Sequence, residues 1–333
     1  MEFRKFEAGP GDDGRRLDRV LRRFLLEESL SQLYSSVRRG FVRVNDKRAE
    51  PGTRICSGDV LSVASFLLSA EQPAAEPDAG RAVLPYQIIF KNDHFLVINK
   101  PYDVPVQQSG SERSALGERI ADAYRIEAAG RNASLSFTAG PLHRLDRKTT
   151  GVLFFSWSLE GARWFSEQMA AHRLEKKYLG LVQGTLSSAE TWEDLLEKED
   201  VSGTSFRTVR IVSSGGKAAL TKAEPVAAGT YGGMPVTLVQ FTIGTGRMHQ
   251  IRAQSSFHHV PLLGDTAYGG MPVREAQDFF LHAREVYIPA NTLGLPPVLE
   301  APLSAAFAAV LHTSGIVTDS LLPSGAGECR TSF

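Results

Sequence analysis

The chain has 333 residues, of which 42% are hydrophobic and 22% charged, a mixture that predicts about two globular domains and excludes disordered, collagen-like and coiled-coil proteins. Its apolar runs are far shorter than the roughly 20 residues that cross a bilayer, and MEFRKFEAGP at the start lacks the apolar core of a secretory signal. Because Cys56 and Cys329 lie far apart, we expect no disulfide framework, no cysteine-rich zinc site, and a reducing, cytoplasmic location.

Charge is unevenly distributed, although 37 basic and 37 acidic residues cancel over the whole chain. The segment 15–48 contains ten lysines and arginines against four acids, whereas 189–200 contains six acids and one lysine. Local asymmetry of this kind is what an electrostatic contact with phosphate groups requires.

The N-terminal segment predicts a small domain over residues 14–66. Apolar residues spaced at i, i+3, i+4, i+7 and i+8 predict an amphipathic helix over residues 15–26, with arginines on its other faces. A second short helix is predicted between Ser31 as N-cap and Gly40 as C-terminal stop. Strands are predicted at Phe41–Val44 and Asp59–Val63, with a turn at Asn45-Asp46.

The rest of the chain predicts a linker, a larger domain and a tail. Residues 67–83 are rich in alanine, proline and glutamate, as linkers are, and 313–333 are rich in serine and glycine. Between them, in 84–312, helices are scattered among strands without a regular βαβ period. This pattern favours an α+β fold with a mixed sheet. Strands are predicted at Phe95–Asn99, Val152–Phe155, Tyr178–Val182 and Val236–Ile243, and a helix on Leu159, Ala162, Phe165 and Met169.

Motifs for common cofactors are absent. Gly244-Thr245-Gly246 lacks the third glycine of a dinucleotide fingerprint, and the sequence has neither a phosphate-binding loop nor a GxSxG elbow. The C-terminal histidines form no HExxH pattern. We therefore expect no cofactor and no metal.

Three polar segments instead indicate a site. PLHRLDRKTTG at 141–151 places Asp146 among cations before a buried strand, where neighbouring arginine would keep it ionised as a base or nucleophile. EKKYLGLVQG at 175–184 places Tyr178 at a strand start, where its ring could face a base. The segment 244–269 predicts a helix carrying Arg247, His249, Gln250 and Arg252 along a cleft. Taken singly, each also fits an ordinary reading: an ion-paired loop, a tyrosine at a sheet edge, or a solvated helix face.

Taken together, these motifs resemble the RluA-type pseudouridine synthases. HRLDRKTTG, KKYLGLVQG, TGRMHQIR and GDTAYG occur in the family's order, INKPYDVPVQ at 98–107 resembles its opening motif, and LHAREVYI at 281–288 its closing strand. The resemblance covers residues 84 to about 311. Residues 14–66, with RRLDRVLRRFL, RRGFVRVND and GDVLSV, resemble the alpha-L RNA-binding motif.

The resemblance implies residue roles. Asp146 matches the catalytic aspartate, Tyr178 the tyrosine that packs against the target base, and Arg252 the arginine that pairs with the carboxylate. Arg144 matches an arginine that helps displace the flipped nucleotide, and His143, Arg247, His249 and Gln250 are expected to contact substrate. Phosphate contacts are expected from the N-terminal residues Arg15, Arg19, Arg22, Arg38 and Arg39. Departures from the pattern (TTG for TSG, RAQ for RVH, and PYDV for a glycine-bearing turn) touch none of the four matched residues but put substrate contacts near Asp103 in doubt.

The implied reaction converts uridine in structured RNA into pseudouridine. The bond from the sugar to a ring nitrogen breaks, the uracil turns, and a bond to carbon 5 forms with no net change in atoms, which is consistent with the absence of a cofactor motif. The sequence does not decide whether Asp146 acts as nucleophile or base. Large-subunit ribosomal RNA is the expected substrate and transfer RNA the alternative, for a monomeric protein. Competing readings are a non-catalytic RNA-binding or ribosome-assembly factor and a carboxylate-based hydrolase, which would need a second acid near Asp146.

Overall fold

The computed structural model describes residues 1–22, 25, 28–68, 86–108, 115–128, 134–200, 207–273 and 277–317. Most of the predicted linker (69–83) and tail (318–333) therefore lie outside the described residues. Within these ranges, no helix combines the length and apolar character needed to cross a membrane. The described residues form a small N-terminal unit and a larger unit built on one long sheet.

The N-terminal unit combines two helices with short strands. In chain order these are β1 (Phe3–Glu7), β2 (Arg15–Arg16), α1 (Leu17–Leu21), α2 (Leu30–Arg38), β3 (Val42–Val44), β4 (Lys47–Arg48), β5 (Arg54–Ile55) and β6 (Val60–Ala64). Strands β1, β6, β3 and β4 form one antiparallel sheet in that order, while β2 pairs with β5. The apolar stripe of α1 packs with α2 and β6 into a core of its own.

Local sequence explains where these elements begin and end. The first helix begins at Leu17 rather than at residue 15, because Arg15 and Arg16 pair with β5 as a strand. The second helix is capped by Ser29, not Ser31: its hydroxyl accepts from the Gln32 N–H, and the Gln32 amide accepts from the Ser29 N–H at 2.9 Å. The stop at Gly40 is confirmed, since this residue has φ +80°.

The larger unit contains eleven strands and four helices in the described ranges. Its elements are β7 (Ile88–Lys91), β8 (Phe95–Lys100), α3 (Leu116–Ala128), β9 (Gly140–Pro141), β10 (Thr150–Ser156), α4 (Leu159–Ala170), β11 (Glu175–Gln183), β12 (Glu190–Asp200), β13 (Arg207–Val212), β14 (Lys217–Tyr231), β15 (Met234–Ile243), α5 (Gln250–Phe257), β16 (Leu281–Tyr287), β17 (Val298–Glu300) and α6 (Ala305–Thr313).

The sheet is mixed, which confirms the predicted α+β class. Its strand order is β13-β12-β14-β15-β11-β16-β10-β8-β7, with β9 added to β10 and β17 to β16. All pairings are antiparallel except that of β10 with β16. Alternate side chains of β10 enter different cores: Phe154 packs with Phe165 of α4, and Leu153 lies in the core that includes Ile120 of α3. Helices therefore cover both faces at the centre of the sheet.

The parallel pairing of β10 with β16 depends on Gly151. Gly151 has φ +110°, and a Cβ atom there would lie 2.2 Å from the carbonyl oxygen of Ala283. Any side chain would force the two strands apart. Beside it, the fully buried His282 accepts from the Thr150 hydroxyl at Nδ1 (2.8 Å) and donates from Nε2 to the Ala301 carbonyl (3.1 Å). This junction fixes the strand that follows Asp146.

We expect acid to destabilise the fold partly through His282. Burial lowers its pKa to about 4 from the ordinary 6.5. Between pH 6.5 and about pH 4, this histidine is therefore protonated in the unfolded chain but neutral in the folded chain. This contribution to stability is complete above pH 6.5 and is lost as pH falls toward 4. In His282→Asn, the fall in unfolding free energy between pH 7 and 4.5 should be smaller by about 2 kcal/mol. Urea denaturation at both pH values measures the unfolding free energy of the wild type and of His282→Asn. An equal fall in the two proteins would contradict this prediction.

Candidate active site

A cleft of about 290 Å³ opens where the three polar segments meet. Its walls come from the loop before β10, from β11, and from the turn that leads into α5. Its size is close to the lower end of pockets that hold small ligands, about 300–1,000 Å³. Residues lining it include Leu142, His143, Arg144, Asp146, Thr149, Met169, Lys176, Tyr178, Arg247, His249, Gln250 and Arg252. The structure thus brings together all eight of the catalytic and substrate-binding candidates.

The loop before β10 holds Asp146 at the cleft. The side chain of the preceding Leu145 is buried in the main core, and the backbone carbonyl of Asp146 accepts from the Thr149 N–H at 3.0 Å. The Asp146 side chain is 18% exposed. Among the described residues, no hydrogen-bond donor occupies its carboxylate. Its oxygens are therefore available to a substrate.

Lys100, which the sequence analysis did not select, stabilises this loop through hydrogen bonds to backbone carbonyls. It is fully buried at the end of β8, and its Nζ donates to the carbonyl oxygens of Arg147 (2.7 Å) and Pro101 (2.8 Å). Burial lowers its pKa to about 7, with the Asp146 carboxylate acting in the opposite direction. The motif INKPYDVPVQ therefore contributes a residue that positions the Asp146 loop.

Arg252 and His249 face the Asp146 carboxylate at a distance longer than a hydrogen bond. Nη1 of Arg252 and Nε2 of His249 each lie 3.8 Å from Oδ2 of Asp146. The pairing of Arg252 with this carboxylate, expected from the sequence, is a long ion pair rather than a hydrogen bond. The strong partner of Arg252 is Asp265, which accepts from Nε at 2.7 Å and Nη2 at 2.8 Å.

The guanidinium of Arg252 is held by a carboxylate at one edge and by contacts with two aromatic rings. The Asp265 carboxylate, which is 2% exposed, holds one edge of the guanidinium. The rings of Tyr268 and Phe279 lie on it, 4.8 and 4.5 Å from the guanidinium carbon. The pKa of Arg252 is raised despite burial, mainly by its hydrogen bonds to Asp265. The third nitrogen, Nη1, is left to face Asp146. Sequence reasoning missed Asp265, Tyr268 and Phe279, although the first two lie in the GDTAYG motif.

His249 occupies an unusual backbone position. The predicted helix begins only at Gln250, so Arg247 and His249 lie in the turn before α5, and His249 has φ +51°. Its Nδ1 is 2.8 Å from the hydroxyl of Tyr268, which also accepts from the Val209 N–H at 2.9 Å. Burial lowers the pKa of His249, although Asp146 opposes this shift. The imidazole is therefore held neutral beside the carboxylate.

Tyr178 lies on β11 with its side chain 8% exposed, at the wall of the cleft. Burial, assisted by the charge of Asp146, raises the pKa of its hydroxyl. Tyr178 therefore remains a neutral ring at any physiological pH. A β-bulge between Lys177 and Tyr178 shifts the register against β16 at this point.

Gln250 and His143 are largely occupied by the protein itself. The Gln250 amide donates to the Leu220 carbonyl and the Thr221 hydroxyl, and accepts from the Thr245 hydroxyl and the Arg247 N–H. His143 stacks on Phe165, and its Nε2 accepts from the Phe154 N–H at 3.1 Å. Burial lowers the pKa of His143 to about 3. Both residues shape the wall, whereas Arg144 and Arg247 are exposed at the cleft.

Lys176 is a further cation in the wall that sequence reasoning did not select from EKKYLG. Its Nζ lies 3.9 Å from the sulfur of Met169, and no described carboxylate lies within 4 Å of it. Burial lowers its pKa. A half-buried cation beside the cleft that no described carboxylate pairs suits a phosphate or carbonyl oxygen of a ligand.

On the RNA substrate that the sequence resemblance implies, we expect the Lys176→Gln variant to bind about tenfold more weakly with little change in kcat, because a contact made equally in the ground and transition states affects KM alone. Steady-state kinetics on a labelled RNA measure both constants. Lys177→Gln is the matched control: Lys177 points to the other face of β11, where its Nζ lies 3.6 Å from Glu175 and over the Tyr287 ring. Equal effects in the two variants would contradict the assignment.

The five N-terminal arginines divide into two groups. Arg19, Arg22, Arg38 and Arg39 are exposed on the N-terminal unit. Arg15 is half-buried, and its Nη1 donates to the Ser136 hydroxyl of the larger unit at 2.8 Å. Among the described residues, no group of three or more histidine, cysteine, aspartate or glutamate side chains could hold a metal ion.

Comparison with known proteins identifies the family. The model for RNA pseudouridylate synthases matches residues 94–257, and that for the S4 domain matches residues 15–61. The chain is 31% identical over 300 residues to the ribosomal large subunit pseudouridine synthase C of Salmonella typhi, covering 87% of this chain and 90% of that protein. The corresponding protein of Escherichia coli strain K12 is 30% identical with the same coverage. The chain therefore belongs to the RNA pseudouridylate synthase family and carries an S4 domain.

Solved structures agree on the fold. Human RNA pseudouridylate synthase domain containing 4 matches with a TM-score of 0.55 at 22% identity, over 69% of this chain and 93% of that one. Human RNA pseudouridylate synthase domain containing 1 matches with a TM-score of 0.51 at 24% identity, over 70% and 95%. The larger unit therefore has the fold of these domains. With the family match and the curated relatives, the protein is an RNA pseudouridine synthase.

Proposed function

We propose that this enzyme isomerises uridines of large-subunit ribosomal RNA in the cytoplasm, as a monomer, with Asp146 as the central catalytic residue. The single observation that carries the proposal is a carboxylate with free oxygens in a cleft of nucleoside size, faced by Arg252 and His249 at 3.8 Å. The names of the relatives favour ribosomal RNA over transfer RNA.

In the proposed mechanism, the target uridine leaves its helix and enters the cleft, which costs a few kcal/mol of lost stacking. The ring of Tyr178 supports the uracil, and the exposed Arg144 at the cleft fills the space left in the RNA. Asp146 acts on the sugar, as nucleophile or base, while the bond to N1 breaks. After the uracil turns, carbon 5 bonds to the sugar and releases its hydrogen as a proton, and N1 gains one.

In this mechanism Arg252 and His249 set the electrostatics around Asp146. A fixed guanidinium places a positive charge beside the carboxylate without occupying its oxygens. A neutral imidazole adds a polar group without a second positive charge. Asp265 and Tyr268 hold these two groups at their positions, and Lys100 holds the loop that carries Asp146.

Tritium release from carbon-5-labelled transcripts tests the substrate. With no cofactor added, we expect release from large-subunit ribosomal RNA and much slower release from transfer RNA. Faster release from transfer RNA would reassign the substrate within the same reaction. Binding of ribosomal RNA without release from either transcript would favour the non-catalytic RNA-binding function.

A further inference from the structure

A second cavity, of about 360 Å³, lies between the N-terminal unit and helix α4 of the synthase domain. We call it the arginine pocket. It is lined by arginines from both units, with few other side chains: Arg15, Arg16, Arg19, Arg54 and Arg163. Arg163 belongs to α4, so neither unit forms the pocket alone.

These five cations have little negative charge to balance them. Arg16 pairs with Asp18 through bonds of 2.8 and 3.2 Å. Among the described residues, Arg54 donates only to the backbone carbonyl of Gly14. For Arg19 and Arg163, no described carboxylate lies within 4 Å. The charges also act on each other: besides burial, which comes first, Arg163 and Arg19 lower the pKa of Arg15, and Asp12 opposes them. Like charges gathered in a concave site favour an anion there.

Hydrogen bonds between the two units fix the positions of the arginines that line the pocket. Asp12 is fully buried, and its carboxylate accepts from the Ser134 hydroxyl (2.7 Å), the Leu135 N–H (2.6 Å) and the Ser136 N–H (3.1 Å) of the synthase domain. The Leu135 side chain packs against the core of the N-terminal unit. Because the arginines are placed before any ligand arrives, binding an anion requires little ordering.

Helix α4 connects the arginine pocket with the active cleft. Arg163 lies at the pocket and Met169 at the cleft, and six residues of helix span about 9 Å. A few nucleotides of one RNA strand cover this distance. Arginine forks match the oxygens of a phosphodiester, and such contacts position RNA without reading its sequence.

We propose that the arginine pocket binds a backbone phosphate of the same RNA strand whose uridine occupies the active cleft, with Arg163 as the contribution of the synthase domain. This inference rests on the proposed function. It assigns a phosphate contact to a joint surface of both units, whereas the sequence analysis expected phosphate contacts from arginines of the N-terminal domain. The occupied pocket would also fix the angle at which the strand enters the cleft.

Arg163→Gln tests the proposal in the full-length protein. Arg163 is exposed, so the substitution leaves the cores intact. We expect RNA affinity to fall about tenfold, and the slope of log Kd against log salt to decrease by about 0.7, the value for one phosphate contact on a single strand. KM should rise while kcat at saturating RNA stays within about twofold. The Arg163→Lys variant keeps the positive charge but loses the two parallel N–H donors of the guanidinium. Its RNA affinity should therefore lie between those of the wild type and Arg163→Gln.

Arg210→Gln is the matched control, because it removes the same charge from an exposed arginine that Glu197 already pairs at 2.9 Å. Filter binding across a salt series, with a labelled ribosomal RNA stem-loop, gives both slopes. Equal slopes and affinities for Arg163→Gln and Arg210→Gln would overturn the proposal. A second result would also overturn the proposal: inorganic phosphate raises the melting temperature of the wild type but not of Arg163→Gln, while the two proteins bind RNA equally well. That result would identify a free anion as the occupant of the pocket.

The same preparations separate this inference from the proposed function. Tritium release by the wild type reports the reaction, and the salt slope reports the pocket. If the wild type is active but the salt slope is the same in Arg163→Gln, phosphate binding at the arginine pocket is contradicted and the proposed reaction is supported. Loss of slope in Arg163→Gln with an inactive wild type would support phosphate binding at the pocket and overturn the proposed reaction.

Discussion

The Asp146→Asn variant is expected to lose at least about 10³-fold in the rate of tritium release while still binding RNA. An amide keeps the size of the carboxylate but can neither attack the sugar nor take up a proton, and it presents no negative charge to Arg252 and His249. Loss of a group that acts as base or nucleophile costs about 10²–10⁴-fold or more. The cations that line the cleft, Arg144, Lys176 and Arg247, remain in place, so binding should change by no more than about threefold, which is well under the contribution of one charged hydrogen bond.

Asp93→Asn is the control for this substitution. Asp93 is an exposed carboxylate in the turn between β7 and β8, outside the residues that line the cleft. It should retain wild-type rates. Filter binding and single-turnover tritium release together separate loss of chemistry from loss of affinity. Release by Asp146→Asn at more than a tenth of the wild-type rate would contradict the role assigned to Asp146.

The parts of the fold that follow from sequence are those where local pattern and tertiary packing agree. The apolar residues of α1 recur at helical spacing, and the same residues form the core of the N-terminal unit. At Asn45 and Asp46, both with positive φ, a two-residue turn joins β3 to β4 as those residue types allow. In β10 the apolar run is buried on both faces, so a strand was the natural interpretation.

Strands β12 and β14 show why the rest could not be predicted. β12 reads ETWEDLLEKED, whose glutamates, leucines and lysine favour a helix in isolation. β14 is rich in alanine and contains glycine and proline, which are depleted in strands. Both are strands because they pair with each other along seven residues, and β14 pairs with β15 along most of its length. The hairpin with β15 and the pairing with the more distant β12, rather than local propensity, decided the structure of β14.

The active cleft divides in the same way. Asp146, Tyr178 and Arg252 were identified because they belong to contiguous motifs. Asp265 and Lys100 were not, because their roles depend on what the folded chain places beside them: a guanidinium in one case and the carbonyl of Arg147 in the other. The partner of a charged residue that becomes buried depends on the tertiary structure, so it cannot be identified from the sequence alone.

The Arg252→Lys variant should show whether the clamp around this residue serves catalysis or only stability. Lysine keeps the charge, but a single ammonium cannot bond both oxygens of Asp265 and also face Asp146, and it lacks the planar group that contacts the rings of Tyr268 and Phe279. We expect kcat to fall about 10²-fold, as for loss of a fixed electrostatic contact, with KM for RNA within about threefold. Single-turnover rates at a temperature where denaturation shows the variant fully folded measure this effect.

A double substitution separates the two roles of the buried pair. Arg252→Met alone leaves Asp265 buried without its cation and should reduce the unfolding free energy by about 3–5 kcal/mol. Adding Asp265→Leu removes the unpaired charge, so stability should recover by at least about 2 kcal/mol, since apolar replacements of buried ion pairs are often neutral. Activity should not recover, because nothing then faces Asp146 in place of Nη1. If tritium release instead returned together with stability, Arg252 would be a structural residue, and the electrostatic role beside Asp146 would fall to His249 alone.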